Sequence, residues 1–161
     1  MHIWDLPNTE QDAILFFQQR NILQKTRKCT NSHDMKLYFG RRIFWKCNLK
    51  ECGQQVGLRK DNWFEGSRIP FCSALRFIYC WSEELTTIKF CEKQLDLSDK
   101  TVIEWNNYMR ELCVLDMEKI PNKKQGAPDC IAWRQHHVKQ NRDIFEAMLN
   151  SISSHFPPIS D

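Results

Sequence analysis

The sequence lacks long apolar runs, internal repeats and low-complexity segments. None of its 161 residues belongs to an uninterrupted apolar stretch of about 18, the length that indicates a membrane-spanning helix. The opening residues, MHIWDLPNTEQDAILFFQQR, have neither the basic start nor the small-residue cleavage site of a secretory leader. We therefore expect a soluble, intracellular protein that does not partner with membranes.

The overall composition is that of a globular protein. Hydrophobic residues make up 42% of the chain and charged residues 27%, which does not fit a disordered tail. The eight cysteines are the unusual feature. A reducing compartment disfavours a disulfide framework, so we expect some of them to be buried thiols and others to bind metal.

Positive charge is concentrated in one part of the chain. Residues 20–68 contain 12 Lys or Arg and 4 Asp or Glu, a net charge of +8, whereas the rest of the chain carries −5. A local positive surface can attract phosphate backbones, although a solvated charged face is an ordinary alternative.

The residue pattern predicts an α+β fold in four segments. Residues 1–28 carry a lead-in and a helix over 8–20 with Asn8 as its cap. Residues 29–68, with the short runs MKLYF and RIFWKC and a GRR turn, favour a small β-unit. Residues 69–119 read as three helices, and residues 120–161 as the linker IPNKKQGAPDC followed by a helix over 141–156 that Pro157 and Pro158 stop.

Four side chains in the β-unit predict a structural zinc site. Cys29 precedes Cys47 by 18 positions, and Cys52 follows five later, a spacing that suits two ligand-bearing turns joined by a hairpin. The fourth ligand is expected to be His33, because Ser32 is a poor ligand. The alternative is that these residues are ordinary buried thiols and an exposed histidine.

The three helices predicted after Pro70 favour a helix-turn-helix. The break between the second and third helices is DLS, and Ser98 is the expected cap of the third. Val102, Trp105, Met109 and Leu112 would face the core, which leaves Asp99, Lys100, Asn106, Asn107 and Arg110 for phosphates or base edges. The turn lacks the usual glycine, and an ordinary three-helix bundle is the alternative.

Basic and aromatic residues flank the cysteines. The predicted phosphate contacts are Arg41, Arg42, Lys46, Arg59, Lys60 and Arg68. The neighbouring Phe44, Trp45, Trp63 and Phe64 could stack on bases, but we expect them to cover a small core.

Other reactive residues receive no chemical role. We expect Asp116, Glu118 and Asp129 to be surface or linker acids, and the pair His136 and His137 to be partly exposed polar surface. Cys72, Cys80, Cys91, Cys113 and Cys130 lie mostly among apolar helical positions, where a thiol behaves as a small hydrophobe.

The order of these motifs resembles a known family. WKCNLKEC, GLRKDNWFEGSRIP, a helix with YCW and LSDKTVIEWNNYMREL, preceded by FFQQRNILQKTRKCTNSHDMKLY, are similar to the N-terminal region of Merlin-superfamily transposases and their bacterial insertion-sequence relatives. The resemblance covers roughly residues 10–115. It implies a zinc ribbon followed by a helix-turn-helix, both of which recognise transposon ends.

The sequence departs from that family at two places. Ser32 occupies the position of the second cysteine in the family's first Cys-x-x-Cys turn, so His33 substitutes as a ligand or the site is weakened. Only 48 residues follow Cys113, too few for the family's three-carboxylate catalytic domain, and CIAWRQHHVKQNRDIFEAMLNSISSHFPP resembles the extreme C-terminal end of the same transposases. We therefore expect no catalytic activity.

The resulting expectation is a transposase-derived protein that binds double-stranded DNA, with nuclear localisation inferred from that role alone. It would occupy element ends or related sites, with a full-length transposase or a second copy of itself as further partners. Two alternatives stay open. One is a zinc-stabilised protein-interaction module, and the other is an accessory fragment that works only beside a full-length transposase.

Overall fold

The computed structural model describes residues 2–120 and 129–159. Within these ranges it contains a short 3-10 turn, three strands and six α-helices, so the predicted α+β class is confirmed. In chain order the elements are the turn Ile3–Asp5, α1 (Glu10–Gln19), β1 (Lys36–Tyr38), β2 (Phe44–Lys46), β3 (Gln55–Gly57), α2 (Phe71–Ser82), α3 (Ile88–Leu95), α4 (Asp99–Glu118), α5 (Asp129–Lys139) and α6 (Ile144–His155). None of the described helices combines the length and apolar composition needed to cross a bilayer.

The three strands form one antiparallel sheet in the order β1-β2-β3. Leu37 lies opposite Trp45, which in turn lies opposite Val56. These three side chains share one face of the sheet because residues in register point the same way. Trp45 is buried and packs in the main core, so this face joins the sheet to the helices.

α1 begins one residue later than predicted. Asn8 is not the cap; the Thr9 side chain accepts a hydrogen bond from the backbone N–H of Asp12, as a helix cap does. The Asn8 side chain instead accepts a hydrogen bond from Arg76 at 2.8 Å, which ties the chain before α1 to α2.

The start of α2 is stabilised by a side chain from another helix. Pro70 precedes the helix and provides no side-chain cap. The two carboxylate oxygens of Glu10 accept hydrogen bonds from the backbone N–H groups of Phe71 at 2.9 Å and Cys72 at 2.8 Å. A negative charge at this end also complements the helix dipole.

α3 and α4 are joined by the predicted three-residue break. Asp96 takes the left-handed conformation, with φ 52°, that a glycine would usually supply, and Ser98 caps α4 as expected. Val102, Trp105, Met109 and Leu112 are all buried, as predicted. α4 continues to Glu118, and its C-terminal part packs against α5 and α6.

The C-terminal segment differs from the prediction in two ways. Residues 121–128, most of the predicted linker, lie outside the described residues. A separate helix, α5, starts at Asp129, and α6 starts at Ile144 with Asp143 as its cap, three residues later than the predicted helix start.

One hydrophobic core runs through all four predicted segments. The ring of Phe17 in α1 lies 5.0 Å from that of Phe64 and 6.4 Å from that of Phe71, measured between centroids. Trp45 and Phe64 are buried, and Phe44 and Trp63 are half-buried. The prediction that these four aromatic residues mainly cover a core is confirmed for the two buried ones.

Candidate metal centre and basic groove

The first ligand-bearing turn is a tight hairpin between Arg27 and Met35. Met35 donates its N–H to the Arg27 carbonyl at 2.8 Å, and Cys29 donates its N–H to the His33 carbonyl at 2.9 Å. Ser32, with φ 61°, closes the turn by donating its N–H to the Cys29 carbonyl. Its side chain is exposed, whereas His33 is half-buried, so the turn presents Cys29 and His33 together.

The second turn follows β2. Cys52 and Gly53 both donate their N–H groups to the Leu49 carbonyl at 3.0 Å, and Gly53 has a positive φ of 58°. Cys47 donates its N–H to the Gln54 carbonyl at 2.9 Å. The turn thus folds back so that Cys47 and Cys52 face the first hairpin.

The two turns bring the predicted ligands together. One ligand atom from each of Cys29, His33, Cys47 and Cys52 lies within 4.8 Å of all the others. The Cys29 and Cys52 Sγ atoms are 3.7 Å apart, and a tetrahedral site with Zn–S bonds of about 2.3 Å has S–S edges of about 3.8 Å. Among the described residues these four form a donor set that could hold a metal ion.

Backbone and amide groups surround the sulfur atoms. The N–H of His33 donates to the Cys29 Sγ at 3.4 Å, and the Asn31 side-chain amide donates to the Cys52 Sγ at 3.8 Å. Such donors stabilise thiolates and orient them toward a metal. The Thr30 N–H donates to the Gln54 side chain at 2.9 Å, which connects the two turns.

The thiols differ in acidity. Burial raises the pKa of Cys29, but hydrogen bonds from the backbone of His33 and Asn31 and from the neighbouring thiols outweigh it, so its net pKa lies below the usual value. For Cys47, a hydrogen bond from the Leu49 backbone lowers the pKa, while burial and the nearby thiols raise it by more. The opposite directions of these two pKa shifts favour the thiolate at Cys29 over the thiolate at Cys47.

The remaining cysteines are free thiols outside this cluster. Cys72, Cys80, Cys91 and Cys113 are buried, and Cys130 is half-buried. Burial raises the pKa of Cys80 to about 11, and burial is also the main cause of the raised pKa of Cys113. Neutral buried thiols agree with the prediction that these residues pack as small hydrophobes.

Five of the predicted phosphate-binding residues line one groove. It lies between the β1–β2 turn, strand β3 and the start of α2, and its basic side chains are Arg41, Arg42, Arg59, Lys60 and Arg68. We name this the basic groove. Arg41, Arg42, Lys60 and Arg68 are exposed. Their guanidinium and ammonium groups are available to a ligand in the groove.

Arg59 has a partly structural position in that groove. It donates to the Ile69 carbonyl at 2.5 Å, and its guanidinium carbon lies 4.1 Å from the centroid of the Phe71 ring. Burial lowers the pKa of Arg59, while the charge of Glu10 opposes that effect. Glu10, which sequence reasoning did not select, lines the same groove and offsets part of its positive charge.

The other predicted contacts lie nearby or on α4. Arg68 also lines a second depression together with Lys100, at the start of α4. Asn107 and Arg110 are exposed on α4, and Arg110 donates to the Asn107 side chain at 2.9 Å. Asn106 is half-buried and bonds to both the side chain and the carbonyl of Thr86, so it holds α4 to the segment before α3.

Lys46 lies on β2, outside the lining of the basic groove. Its cross-strand partner is Lys36 on β1, directly opposite in the register. Like charges in opposed positions destabilise a sheet. The sheet therefore carries a local concentration of positive charge beside Cys47 of the candidate metal site.

Asp116 and His137, two residues that received no chemical role, make contacts within the protein. Asp116 accepts a hydrogen bond from the Trp133 indole at 2.7 Å and contacts the His155 Nε2 atom at 2.7 Å. Glu118 is exposed, and the side chain of Asp129 lies outside the described residues. The expectation of polar surface is wrong for His137, which is buried against Trp133 with ring centroids 4.4 Å apart.

Comparisons with family models, with curated proteins and with solved structures find no match for this chain. The features of the chain that bear on function are the Cys and His cluster and the basic groove.

Proposed function

We propose that this protein binds double-stranded DNA through a zinc-stabilised β-unit and the helices that follow it. The observation that carries the proposal is the basic groove, in which Arg41 and Arg42 from one turn meet Lys60 and Arg68 from a distant part of the chain. Phosphate contacts from clustered Arg and Lys supply the salt-dependent part of DNA affinity.

The metal of this proposal is zinc. Three cysteines and one histidine form a donor set that zinc prefers, and the short distances between the ligand atoms suit tetrahedral coordination. The β-unit has three strands of three residues each, which is marginal for an independent sheet. Zinc would stabilise the two turns, and with them the groove that they border.

Helices α2–α4 are proposed to act as a helix-turn-helix. The exposed Lys100, Asn107 and Arg110 follow one side of α4, and Lys100 adjoins the basic groove through Arg68. A DNA duplex in the groove would then also contact α4. The lysine pair Lys36 and Lys46 supports an anionic partner, because phosphate would relieve their mutual repulsion.

The resemblance to Merlin-superfamily transposases suggests which DNA the protein recognises. We propose transposon ends or related sites, occupied without cleavage. The non-catalytic role is supported by Asp116, whose carboxylate is engaged within the protein by Trp133 and His155. Competition with a full-length transposase follows if both recognise the same ends.

The test is duplex affinity at two salt concentrations, measured by fluorescence anisotropy on zinc-loaded protein and again after chelation. We expect affinity to fall steeply with salt and to be lost with the metal. Affinity that is insensitive to both changes would contradict the proposal. Incubation of labelled duplex with magnesium should give no cleaved product, and a metal-dependent product would contradict the non-catalytic role.

A further inference from the structure

A further, smaller pocket lies beside the depression that Arg68 and Lys100 line. Aromatic rings and carboxylates are among its lining residues, and its volume is about 310 Å³. The residues that matter here are Trp63, Trp105, Tyr108, Phe156, Glu65 and Glu111. We name it the aromatic pocket.

The rings of this pocket are set nearly at right angles. Trp63 and Trp105 have centroids 5.2 Å apart and an interplanar angle of 79°, and Trp105 and Tyr108 are 6.1 Å apart at 74°. Edge-to-face pairs hold neighbouring rings in different orientations around a common point. Rings of several orientations therefore line the same cavity.

The back of the pocket is rigid and its rim is exposed. Trp105 is only 3% exposed, and its ring also packs against that of Phe77 at 5.8 Å. Tyr108 and Phe156 are each 40% exposed although both are large aromatic residues. The cavity is thus preformed and open to solvent at the two rim rings.

The pocket has negative charge and no cation of its own. Glu65 and Glu111 are both exposed beside the rings, and no Lys or Arg is among its lining residues in the described part of the chain. Elsewhere the protein covers its aromatic faces itself, as where Arg20 lies 3.6 Å from the Phe16 centroid and Arg134 lies 4.1 Å from that of Trp81. Within the described ranges, none of its cations lies over Trp63, Trp105 or Tyr108 in this way.

From this combination we infer that the aromatic pocket binds a methylated ammonium group, as carried by a trimethylated lysine side chain or by a choline-type small molecule. Aromatic faces attract a cation through their quadrupole, and methyl groups fill the space between rings while they reduce the cost of desolvating the charge. Glu65 and Glu111 add a direct electrostatic attraction. The pocket uses none of the proposed DNA contacts, so this inference stands or falls independently of the proposed function.

The primary experiment is titration of the zinc-supplemented full chain with choline and with its neutral isostere, 3,3-dimethylbutanol, followed by NMR or calorimetry. The two probes have the same shape and differ in charge. We expect choline to bind and the isostere to bind at least about fivefold more weakly, since the cation contributes through the ring faces. Equal affinities, or no binding of choline and of a trimethyllysine peptide, would overturn the inference.

A second titration identifies the source of the group. A short peptide with one trimethyllysine is compared with the same peptide carrying unmodified lysine. Tighter binding of the methylated peptide than of choline supports a protein-borne group, and the reverse order supports a small molecule. A preference for the unmodified peptide over the methylated one would contradict a site built for methyl groups.

Paired variants localise the binding to the rings and acids. Tyr108→Leu should weaken choline binding roughly threefold to tenfold, whereas Tyr108→Phe, which keeps the ring, should leave it nearly unchanged. Glu111→Gln should weaken it, with Glu118→Gln, an exposed acid on the same helix outside the pocket, as the matched control. Tyr108, Glu111 and Glu118 are all exposed, so the thermal unfolding of the four variants should stay near that of the parent. If Glu118→Gln lowered the affinity for choline as much as Glu111→Gln does, or if Tyr108→Leu did not lower it, choline would bind outside the aromatic pocket.

Discussion

The Nδ1 atom of His33 lies 3.8 Å from the Sγ atom of Cys47, although the two residues come from different turns of the β-unit. Ser32, the residue next to His33, has an exposed side chain and a positive φ of 61°. The first turn therefore presents the histidine, and not its neighbour, to the other potential ligands. This relationship makes the metal centre testable by substitution at adjacent positions.

Replacement of His33 by alanine should reduce zinc from about one ion per chain to a substoichiometric amount, because it removes one of four ligands. His33→Cys should retain the metal, since a thiolate can take the fourth position. Zinc content by mass spectrometry and thermal unfolding give the two readouts.

Ser32→Cys is the positional control for this prediction. Its side chain is exposed, so the added thiol should not raise zinc affinity. Full zinc retention in His33→Ala would show that the histidine is not a ligand. A large gain in affinity in Ser32→Cys would show that the turn can present residue 32 instead.

The double variant Arg41→Ala/Arg42→Ala should weaken binding to DNA duplexes of any sequence. The slope of log affinity against log salt concentration should become shallower by about 1–2. Both side chains are exposed in the basic groove, so the effect should not come from unfolding. Arg59 is a poorer choice for this test because its guanidinium is bonded to the Ile69 carbonyl.

Lys119→Ala/Lys139→Ala removes the same charge from exposed positions outside the basic groove and serves as the control. It should leave the salt slope nearly unchanged. Equal losses in the two double variants would indicate a general charge effect and would contradict a specific groove.

Glu10→Ala should lower the free energy of unfolding by about 1–2 kcal/mol, because two backbone N–H groups at the start of α2 lose their acceptor. Glu10→Gln should have a smaller effect since it keeps one carbonyl acceptor. Chemical denaturation measures both. Gln11→Ala, an exposed neighbour on α1, is the control and should change little.

His137 should make the protein sensitive to acid. Burial, followed by the charges of His136 and Arg142, lowers its pKa below the ordinary value of 6.5, while Asp116 opposes the shift. As the pH falls through 6.5, His137 takes up a proton in the unfolded chain before it does so in the folded chain. The free energy of unfolding therefore decreases as the pH decreases.

Between about pH 7 and pH 5, the free energy of unfolding should decrease less for His137→Phe than for the parent. Phenylalanine has no group that takes up a proton on unfolding. Urea unfolding at several pH values, in excess zinc for both proteins, isolates this difference from acid release of the metal. Parallel curves for the two proteins would assign the acid sensitivity to other groups.

Several features followed from local sequence patterns. The spacing of Cys29, Cys47 and Cys52 predicted the two turns, and the apolar periodicity of 102–112 predicted the buried face of α4. The first prediction succeeded because metal sites restrict the spacing of their donor residues, and the second because helical periodicity acts over few residues. The helix α5 was not predicted as a separate element because its apolar residues show little helical periodicity. Its adjacent histidines, His136 and His137, also indicated polar surface and not a packed helix face.

Other features could not be read from local patterns. Glu10 was not selected because its partners, the N–H groups of Phe71 and Cys72, lie some 60 positions away. The half-buried state of Asn106 depends on Thr86, 20 positions earlier. The burial of His137 depends on its packing against Trp133 and the neighbouring helices.

The amino-acid sequence alone therefore determined the donor residues of the candidate metal site, the basic character of residues 20–68 and most helix and strand positions. These follow from residue chemistry and short-range periodicity. Only the tertiary structure placed Arg41 and Arg42 beside Lys60 and Arg68, and Trp63 beside Trp105, Tyr108 and Phe156. Such groupings arise from the joint packing of distant segments around one core, which is the sum of many weak contacts that no short stretch of sequence specifies.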